Sequence, residues 1–220
     1  MPVLEKRILQ ENAVLGIWEI KEEVDFLLSA LDLCPEEKAL YNSFANDTRR
    51  KHWLSYRNLL KHLASKTKYT PLIYDENGKP HFVDDNNYLS VSHSGNVSAA
   101  IISSDYPVGI DIEVINPRIE KVVNKFLSKA EQSSLNMEYR LEMLYVYWSA
   151  KEALYKMYGK GNLLFIENLP IEPFNYSPSG GKITGNILLE NRKFQFTLHY
   201  QKLQEYMLVY VVDADNYLNL

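Results

Sequence analysis

The sequence has one cysteine, Cys34, and it lacks any apolar run long enough to cross a membrane. A single cysteine excludes an intrachain disulfide and a cysteine-based zinc site. A bilayer span needs roughly 20 consecutive apolar residues, and the charged N-terminal sequence Met-Pro-Val-Leu-Glu-Lys-Arg is not typical of a signal peptide. The composition, 46% hydrophobic and 24% charged, is that of a globular chain. We therefore expect a cytoplasmic protein without membrane attachment.

Several catalytic motifs are also missing. The chain has no P-loop, dinucleotide-binding glycine fingerprint, nucleophile elbow or HExxH sequence, which excludes the usual nucleotide-binding, serine hydrolase and zinc protease assignments. The net charge of -4 disfavours a protein that coats nucleic acid. The segment from Lys38 to Lys68 nevertheless carries +7, so the rest of the chain carries -11. We expect this basic segment to contact an anion.

The order of predicted helices and strands favours an α+β fold with antiparallel sheets over a parallel βαβ sheet. Helices are predicted at 21–33, from Pro35 to about Ser65 with a break near Asn46 and Asp47, after the capping box of Ser128 and Glu131, and from Glu138 to Tyr158. Strands are predicted at 14–20, 72–74, 88–93, 97–103, 108–115, 183–190, 193–200 and 206–213. The two halves resemble each other coarsely, so we expect two lobes, 1–104 and 105–220.

The predicted helix from Pro35 has an apolar face bordered by basic residues. At 100° per residue, the apolar face contains Trp53, Tyr56, Leu60, Leu63 and Ala64. The basic stripe beside it contains Arg50, Arg57 and Lys61. This stripe is either the rim of a ligand groove or an ordinary solvated helix face.

Asp111 and Glu113 lie two residues apart in the predicted strand GIDIE, so both side chains point to one face. Two neighbouring carboxylates repel each other, and a divalent cation such as Mg²⁺ relieves that repulsion. The alternative is a solvated strand face.

The segment WSAKEALYK places Trp148, Glu152 and Lys156 along one helical ridge, with Lys151 a quarter turn away. A simple Glu152–Lys156 ion pair above a buried Trp148 is the structural alternative. His93, at the end of the strand YLSVSHSG, is either a ligand-binding or a structural histidine.

In this order, SHS, VGIDIE and WSAKEALYK resemble the signature of the 4'-phosphopantetheinyl transferase superfamily, (V/I)-G-(I/V)-D-x-E followed by (F/W)-(S/T/C)-x-K-E-(S/A)-x-x-K. The length resembles the two-lobed, Sfp-type branch of that family. The resemblance implies a pseudo-twofold pair of similar lobes in one monomeric chain. It also implies magnesium-dependent transfer of 4'-phosphopantetheine from coenzyme A to a serine of an acyl or peptidyl carrier protein, with release of adenosine 3',5'-bisphosphate.

The resemblance also implies roles for individual residues. The expected metal ligands are Asp111, Glu113 and Glu152. Residues expected to bind coenzyme A are Lys156, Ser92 and His93 at its phosphates, Lys79 and Pro80 at its adenine, and Arg49, Arg50 or Arg57 at its 3'-phosphate. Glu152 is the candidate base, with Lys156 and Lys151 as further catalytic candidates. Two other functions stay open: a non-catalytic protein that binds coenzyme A or a nucleotide, and a magnesium-dependent nucleotide hydrolase.

Overall fold

The computed structural model describes residues 3–9, 12–64, 68–83, 85–190 and 192–215. The chain divides into two compact units, Met1–Tyr106 (unit 1) and Pro107–Leu220 (unit 2). Both units combine an antiparallel sheet with packed helices, so the predicted α+β class is confirmed.

Unit 1 consists of short helices, one long helix and two sheets. Its helices are α1 (Val24–Ser29), α2 (Pro35–Asn42) and α3 (Asp47–Leu63). Its strands are β1 (Val3–Ile8), β2 (Ala13–Glu19), β3 (Leu72–Tyr74), β4 (Pro80–Phe82), β5 (Tyr88–Ser94) and β6 (Val97–Ser103). The larger sheet has the order β1-β2-β6-β5 with antiparallel pairing, and β3 and β4 form a separate hairpin. Helix α3 packs on β2 and β6.

The helical segments of unit 1 begin where their caps occur. Asn46 caps α3 because its side chain accepts a hydrogen bond from Arg49 N, which explains the break predicted near this residue. Helix α2 has Pro35 in its first turn, where a missing N–H costs nothing. The residue before a proline disfavours helical geometry, and Cys34 is extended. Helix α1 covers only Val24–Ser29, so it is shorter at both ends than the predicted 21–33.

Unit 2 has one long helix over a four-stranded sheet. Its helices are a 3-10 helix (Pro117–Val122), α4 (Val123–Phe126), α5 (Lys129–Ser133), α6 (Arg140–Tyr158) and α7 (Phe165–Asn168). Its strands are β7 (Val108–Val114), β8 (Gly181–Leu189), β9 (Arg192–Leu203) and β10 (Tyr206–Val212), in the antiparallel order β7-β10-β9-β8. Helix α6 ends at Gly159, which adopts the left-handed conformation with φ 68°. Its apolar side packs on β7 and β10.

The two units share details of construction. In each unit, one strand carries a glycine that faces the long helix: β2 in unit 1 and β7 in unit 2. This strand pairs with the last strand of its unit, and the last strand also pairs with the strand that precedes it in sequence. The resulting orders are β2-β6-β5 and β7-β10-β9. In each, a basic residue of the long helix is fully buried against a glutamate 20 residues earlier. We call these pairs the unit 1 clamp, Glu37 with Arg57, and the unit 2 clamp, Glu131 with Lys151.

Both clamp glutamates also make the same backbone contacts. Each is the third residue of its helix and accepts a hydrogen bond from the N-cap backbone, at Cys34 and at Ser128. Each also accepts one from the backbone N–H of a segment that follows the long helix, at Leu72 and at Ile171. A clamp therefore ties three consecutive parts of its unit together.

Candidate active site

The close approach of α6 to β7 determines the geometry of the candidate site in unit 2. A Cβ atom at Gly109 would lie 1.9 Å from the carbonyl oxygen of Ala153, so only glycine allows this contact. Asp111 and Glu113 follow at two-residue intervals on the same face of β7. Glycine at 109 therefore lets both carboxylates face the helix that carries Glu152 and Lys156.

Asp111 and Lys156 form a direct ion pair. Lys156 Nζ donates to Asp111 Oδ1 at 2.7 Å. The Asp111 side chain is only 3% exposed, whereas 28% of the Lys156 side chain remains accessible. A buried carboxylate is thus neutralised by a lysine that still reaches solvent.

Glu152 lies one turn before Lys156 on α6. Burial raises the pKa of Glu152 to about 7, and the charges of Asp111 and Glu113 add to this increase while Lys156 opposes it. The three carboxylates therefore interact electrostatically. Within the described residues, no group of three or more His, Cys, Asp or Glu side chains converges tightly enough to hold a metal ion.

Two neighbouring residues of α6 support this ridge. The Trp148 ring packs edge-on against Phe126, at 5.2 Å between centroids, and against Phe165 at 5.6 Å. Lys151 is fully buried in the unit 2 clamp, where its Nζ lies 2.8 Å from Glu131 and donates to Phe165 O. Burial lowers the pKa of Lys151 and Glu131 opposes the change. The structure thus joins Lys151 to Glu131 and not to the carboxylates around Glu152.

In unit 1, the predicted phosphate contacts lie at the end of β5. Ser92 is buried and His93 is exposed. The His93 ring stacks on His52 of α3 at 4.3 Å, and His52 Nε2 lies 2.7 Å from Gly95 O. The His93 ring is therefore held against α3 with one side accessible.

A cavity of about 350 Å³ opens beside His93. It is lined by Leu40, Phe44, Arg49, Trp53, Tyr56, Tyr74 and His93. Arg49 is exposed and its guanidinium lies 4.6 Å from the centre of the Phe44 ring. The cavity combines an aromatic wall with one arginine and one histidine.

The other basic residues of α3 do not line this cavity. Arg57 is 0% exposed within the unit 1 clamp. Arg50 pairs with Asp47 and donates to Phe44 O, while Lys61 donates to Ala30 O. The basic stripe was expected to be either the rim of a ligand groove or a solvated helix face. Arg57 is neither, because it is buried in the core.

Lys79 and Pro80 belong to the β3–β4 hairpin, in which Pro80 is the partner of Tyr74. Asp75 Oδ1 accepts a hydrogen bond from the backbone of Lys79, and Gly78 has a φ of +80°, which favours glycine. Burial lowers the pKa of Lys79 to about 8. The hairpin thus brings Tyr74 to the cavity, with Pro80 opposite it.

The aromatic wall was not predicted as a functional surface. Helical periodicity assigned Trp53 and Tyr56 to the core face, and both are indeed largely buried. Tyr74 lies 17 residues after Arg57, on a different element. The sequence signal that could have indicated the wall is the alternation of aromatic and basic residues from Phe44 to Arg57.

Comparison with known proteins identifies the family. The model of the 4'-phosphopantetheinyl transferase superfamily matches residues 107–211. The 4'-phosphopantetheinyl transferase AcpT of Escherichia coli K12 is 34% identical over 138 residues, which cover 60% of this chain and 70% of AcpT. The enzymes ffp of Bacillus subtilis and Sfp of Bacillus subtilis strain 168 are 36% and 34% identical over 104 residues, covering 46% of this chain and 44% of each relative.

These matches define the class of the protein as a transferase. The chain belongs to the 4'-phosphopantetheinyl transferase superfamily, and the resemblance found in its motifs is confirmed. None of the helices in the described part of the chain is long and apolar enough to cross a membrane.

Proposed function

We propose that this chain transfers 4'-phosphopantetheine from coenzyme A to a serine hydroxyl of an acyl or peptidyl carrier protein, in the cytoplasm and as a monomer. The observation that carries the proposal is the cluster of Asp111, Glu152 and Lys156, which joins the ion pair of a buried aspartate and a partly accessible lysine to a carboxylate of raised pKa. A carboxylate whose pKa is strongly perturbed by burial and by specific charged neighbours is typical of a functional site.

The chemistry of the donor set fits Mg²⁺. Asp111, Glu113 and Glu152 supply only oxygen donors, and their mutual repulsion would be relieved by a hard cation. These three residues do not form a tight metal-binding group in the structure, so their side chains would have to draw together to hold the ion. When bound, the ion would neutralise charge on the pyrophosphate of coenzyme A. Lys156, now paired with Asp111, would then be available to donate to a phosphate oxygen.

The reaction requires proton transfer as well as charge stabilisation. The serine oxygen forms a bond to the phosphorus that carries the pantetheine arm, and the bond from that phosphorus to the oxygen of adenosine 3',5'-bisphosphate breaks. The leaving oxygen keeps the electron pair and donors such as Lys156 stabilise it. The serine proton passes to a carboxylate oxygen of Glu152.

Unit 1 would bind the nucleotide end of coenzyme A. Arg49 and His93 are accessible nitrogen donors for phosphate, and the aromatic rings of the cavity suit a nucleobase. Lys79, Pro80 and Ser92 remain proposed contacts of the same ligand. Arg57 is not a proposed ligand residue, because it has no accessible surface.

The decisive experiment is intact-mass spectrometry of purified apo acyl carrier protein and apo peptidyl carrier protein after incubation with the enzyme, coenzyme A and Mg²⁺. We expect one carrier or both to gain the mass of a single phosphopantetheine group, and the gain to disappear with Asp111→Ala, with a chelator, or with a serine-to-alanine carrier. Cleavage of coenzyme A without carrier modification would identify a hydrolase. Binding of coenzyme A with neither reaction would identify a binding protein.

A further inference from the structure

We propose that Arg57, with Glu37 as its counter-ion, is a positioning residue that holds Tyr56 and Tyr74 so that one of their hydroxyl groups donates to the ligand in the unit 1 cavity. The identity of that ligand, the nucleotide end of coenzyme A, rests on the proposed function. The role of Arg57 itself is argued from contacts within unit 1.

Arg57 has no surface with which to bind a ligand directly. Its Nε donates to Glu37 Oε1 at 3.1 Å, and its guanidinium lies 3.4 Å from the centre of the Trp53 ring. Its two terminal nitrogens donate to Tyr56 OH and to Tyr74 OH, the latter at 3.2 Å. All three aromatic residues that it contacts line the cavity. Arg57 therefore forms the layer directly behind the cavity wall.

Glu37 fixes the position of Arg57. The Oε1 atom that accepts from Arg57 also accepts from Tyr69 OH at 2.6 Å and from Leu72 N at 3.3 Å. Leu72 begins β3, the strand in which Tyr74 lies two residues later. The unit 1 clamp thus places both the guanidinium and the strand that carries one of its phenol partners.

Counting the hydroxyl protons of Tyr56 and Tyr74 shows that one of them is left to donate to another group. The oxygens of Tyr56 and Tyr74 lie 2.8 Å apart, so one of the two O–H groups donates to the other oxygen. Arg57 donates to both oxygens, so neither tyrosine can donate to it. One O–H therefore remains for an acceptor outside this group of three side chains.

The wall contains a second donor of this kind. Trp53 is 6% exposed, and its indole N–H has no acceptor among the described residues. Buried donors without an acceptor are rare in folded proteins, and a bound water or ligand is one way to satisfy them. A ligand rich in acceptors, such as a phosphorylated nucleoside, would satisfy both the indole and the hydroxyl group.

The recurrence of the clamp supports a positioning role. In unit 2 the equivalent base, Lys151, is equally buried and directly precedes Glu152 on α6. In both units the clamp therefore holds the long helix close to residues proposed to meet the ligand.

The test compares three single variants by calorimetric binding of adenosine 3',5'-bisphosphate, with thermal unfolding measured in parallel. Tyr74→Phe removes a hydroxyl that accepts from Arg57 but belongs to a residue that is 41% exposed, so we expect a fall in melting temperature no larger than that of Tyr69→Phe, and an affinity lowered about tenfold. Tyr69→Phe is the matched control, because it removes a hydroxyl from the same network away from the cavity. It should lower the melting temperature and leave the affinity within about twofold.

Arg57→Lys keeps the charge but cannot bridge both phenols. We expect it to weaken binding at least as much as Tyr74→Phe, and to raise KM for coenzyme A by a larger factor than it lowers kcat. An unchanged affinity for Tyr74→Phe, or an equal loss for Tyr69→Phe, would overturn the inference. Failure of the wild-type protein to bind the bisphosphate would also overturn it. Binding without carrier modification would instead contradict only the proposed function.

Discussion

At the scale of single residues, burial and the neighbouring carboxylates oppose the ionisation of Glu152. Its pKa of about 7, against an ordinary 4.5, means that the folded protein binds a proton here more tightly than the unfolded chain does. The stabilisation from this proton is complete below pH 4.5 and is lost as the pH rises through 7. In metal-free protein, the ionised residue therefore costs stability at alkaline pH.

Glu152→Gln should remove this cost. Metal-free Glu152→Gln is expected to exceed the wild type in free energy of unfolding by about 1 to 3 kcal/mol at pH 8, with the difference vanishing near pH 4. Urea titrations at the two pH values measure it. Transfer activity should be abolished in the same variant. An equal difference at both pH values would show that the gain does not come from ionisation.

Arg49 is the arginine of α3 that lines the cavity. Arg49→Gln should weaken binding of coenzyme A by about 1.5 to 3 kcal/mol, the range for a hydrogen bond to a charged group. Dephospho-coenzyme A, without the 3'-phosphate, should bind the variant and the wild type alike. Arg50→Gln is the control, because Arg50 is engaged by Asp47 and Phe44 O. Equal losses for both ligands would place Arg49 away from the 3'-phosphate.

At the scale of elements, Gly109 and Gly16 occupy comparable places under α6 and α3. A methyl group at Gly109 would meet backbone, the Ala153 carbonyl oxygen at 1.9 Å. At Gly16 it would meet the ends of the Leu63 and Leu59 side chains, at 2.7 and 2.9 Å, which can move. The two positions therefore differ in how readily the contact relaxes.

Gly109→Ala should cost at least about 3 kcal/mol of stability, and Gly16→Ala about 1 kcal/mol. Thermal unfolding of the two variants measures this difference. Because α6 carries Glu152 and Lys156, Gly109→Ala should also lower kcat in the fraction that remains folded. Similar melting temperatures for the two variants would mean that α6 shifts without strain.

The sequence predicted the elements better than it predicted the role of buried charges. Long elements with strong periodicity, such as α6 and its stop at Gly159, were predicted within two residues. The motif also indicated the carboxylates that share a face. The burial of Arg57 and Lys151 was missed, because each depends on a glutamate 20 residues earlier that periodicity does not connect to it. Charged residues are fully buried only when paired, and pairing over this separation is a tertiary property.

At the scale of the whole molecule, each unit has its own apolar core and its own clamp. Removing one partner of a buried ion pair leaves an uncompensated charge, so Lys151→Met should cost about 3 to 5 kcal/mol. Amide exchange should accelerate at Ser128 and Ile171, whose N–H groups bond to Glu131, and not at Leu72, which bonds to Glu37. Exposed Lys125→Met is the control, and uniform acceleration would show that the clamp does not act locally.

The two units repeat one structural plan, with a shared strand order and with a clamp at the same spacing. They differ at the residue that follows the clamp base. The residue after the clamp base is Glu152 in unit 2, whereas in unit 1 it is Asn58, whose amide donates to the carbonyls of Leu27 and Leu54 inside the fold. At this position unit 1 therefore has a structural amide where unit 2 has the proposed base, so the proposed proton transfer has no counterpart there.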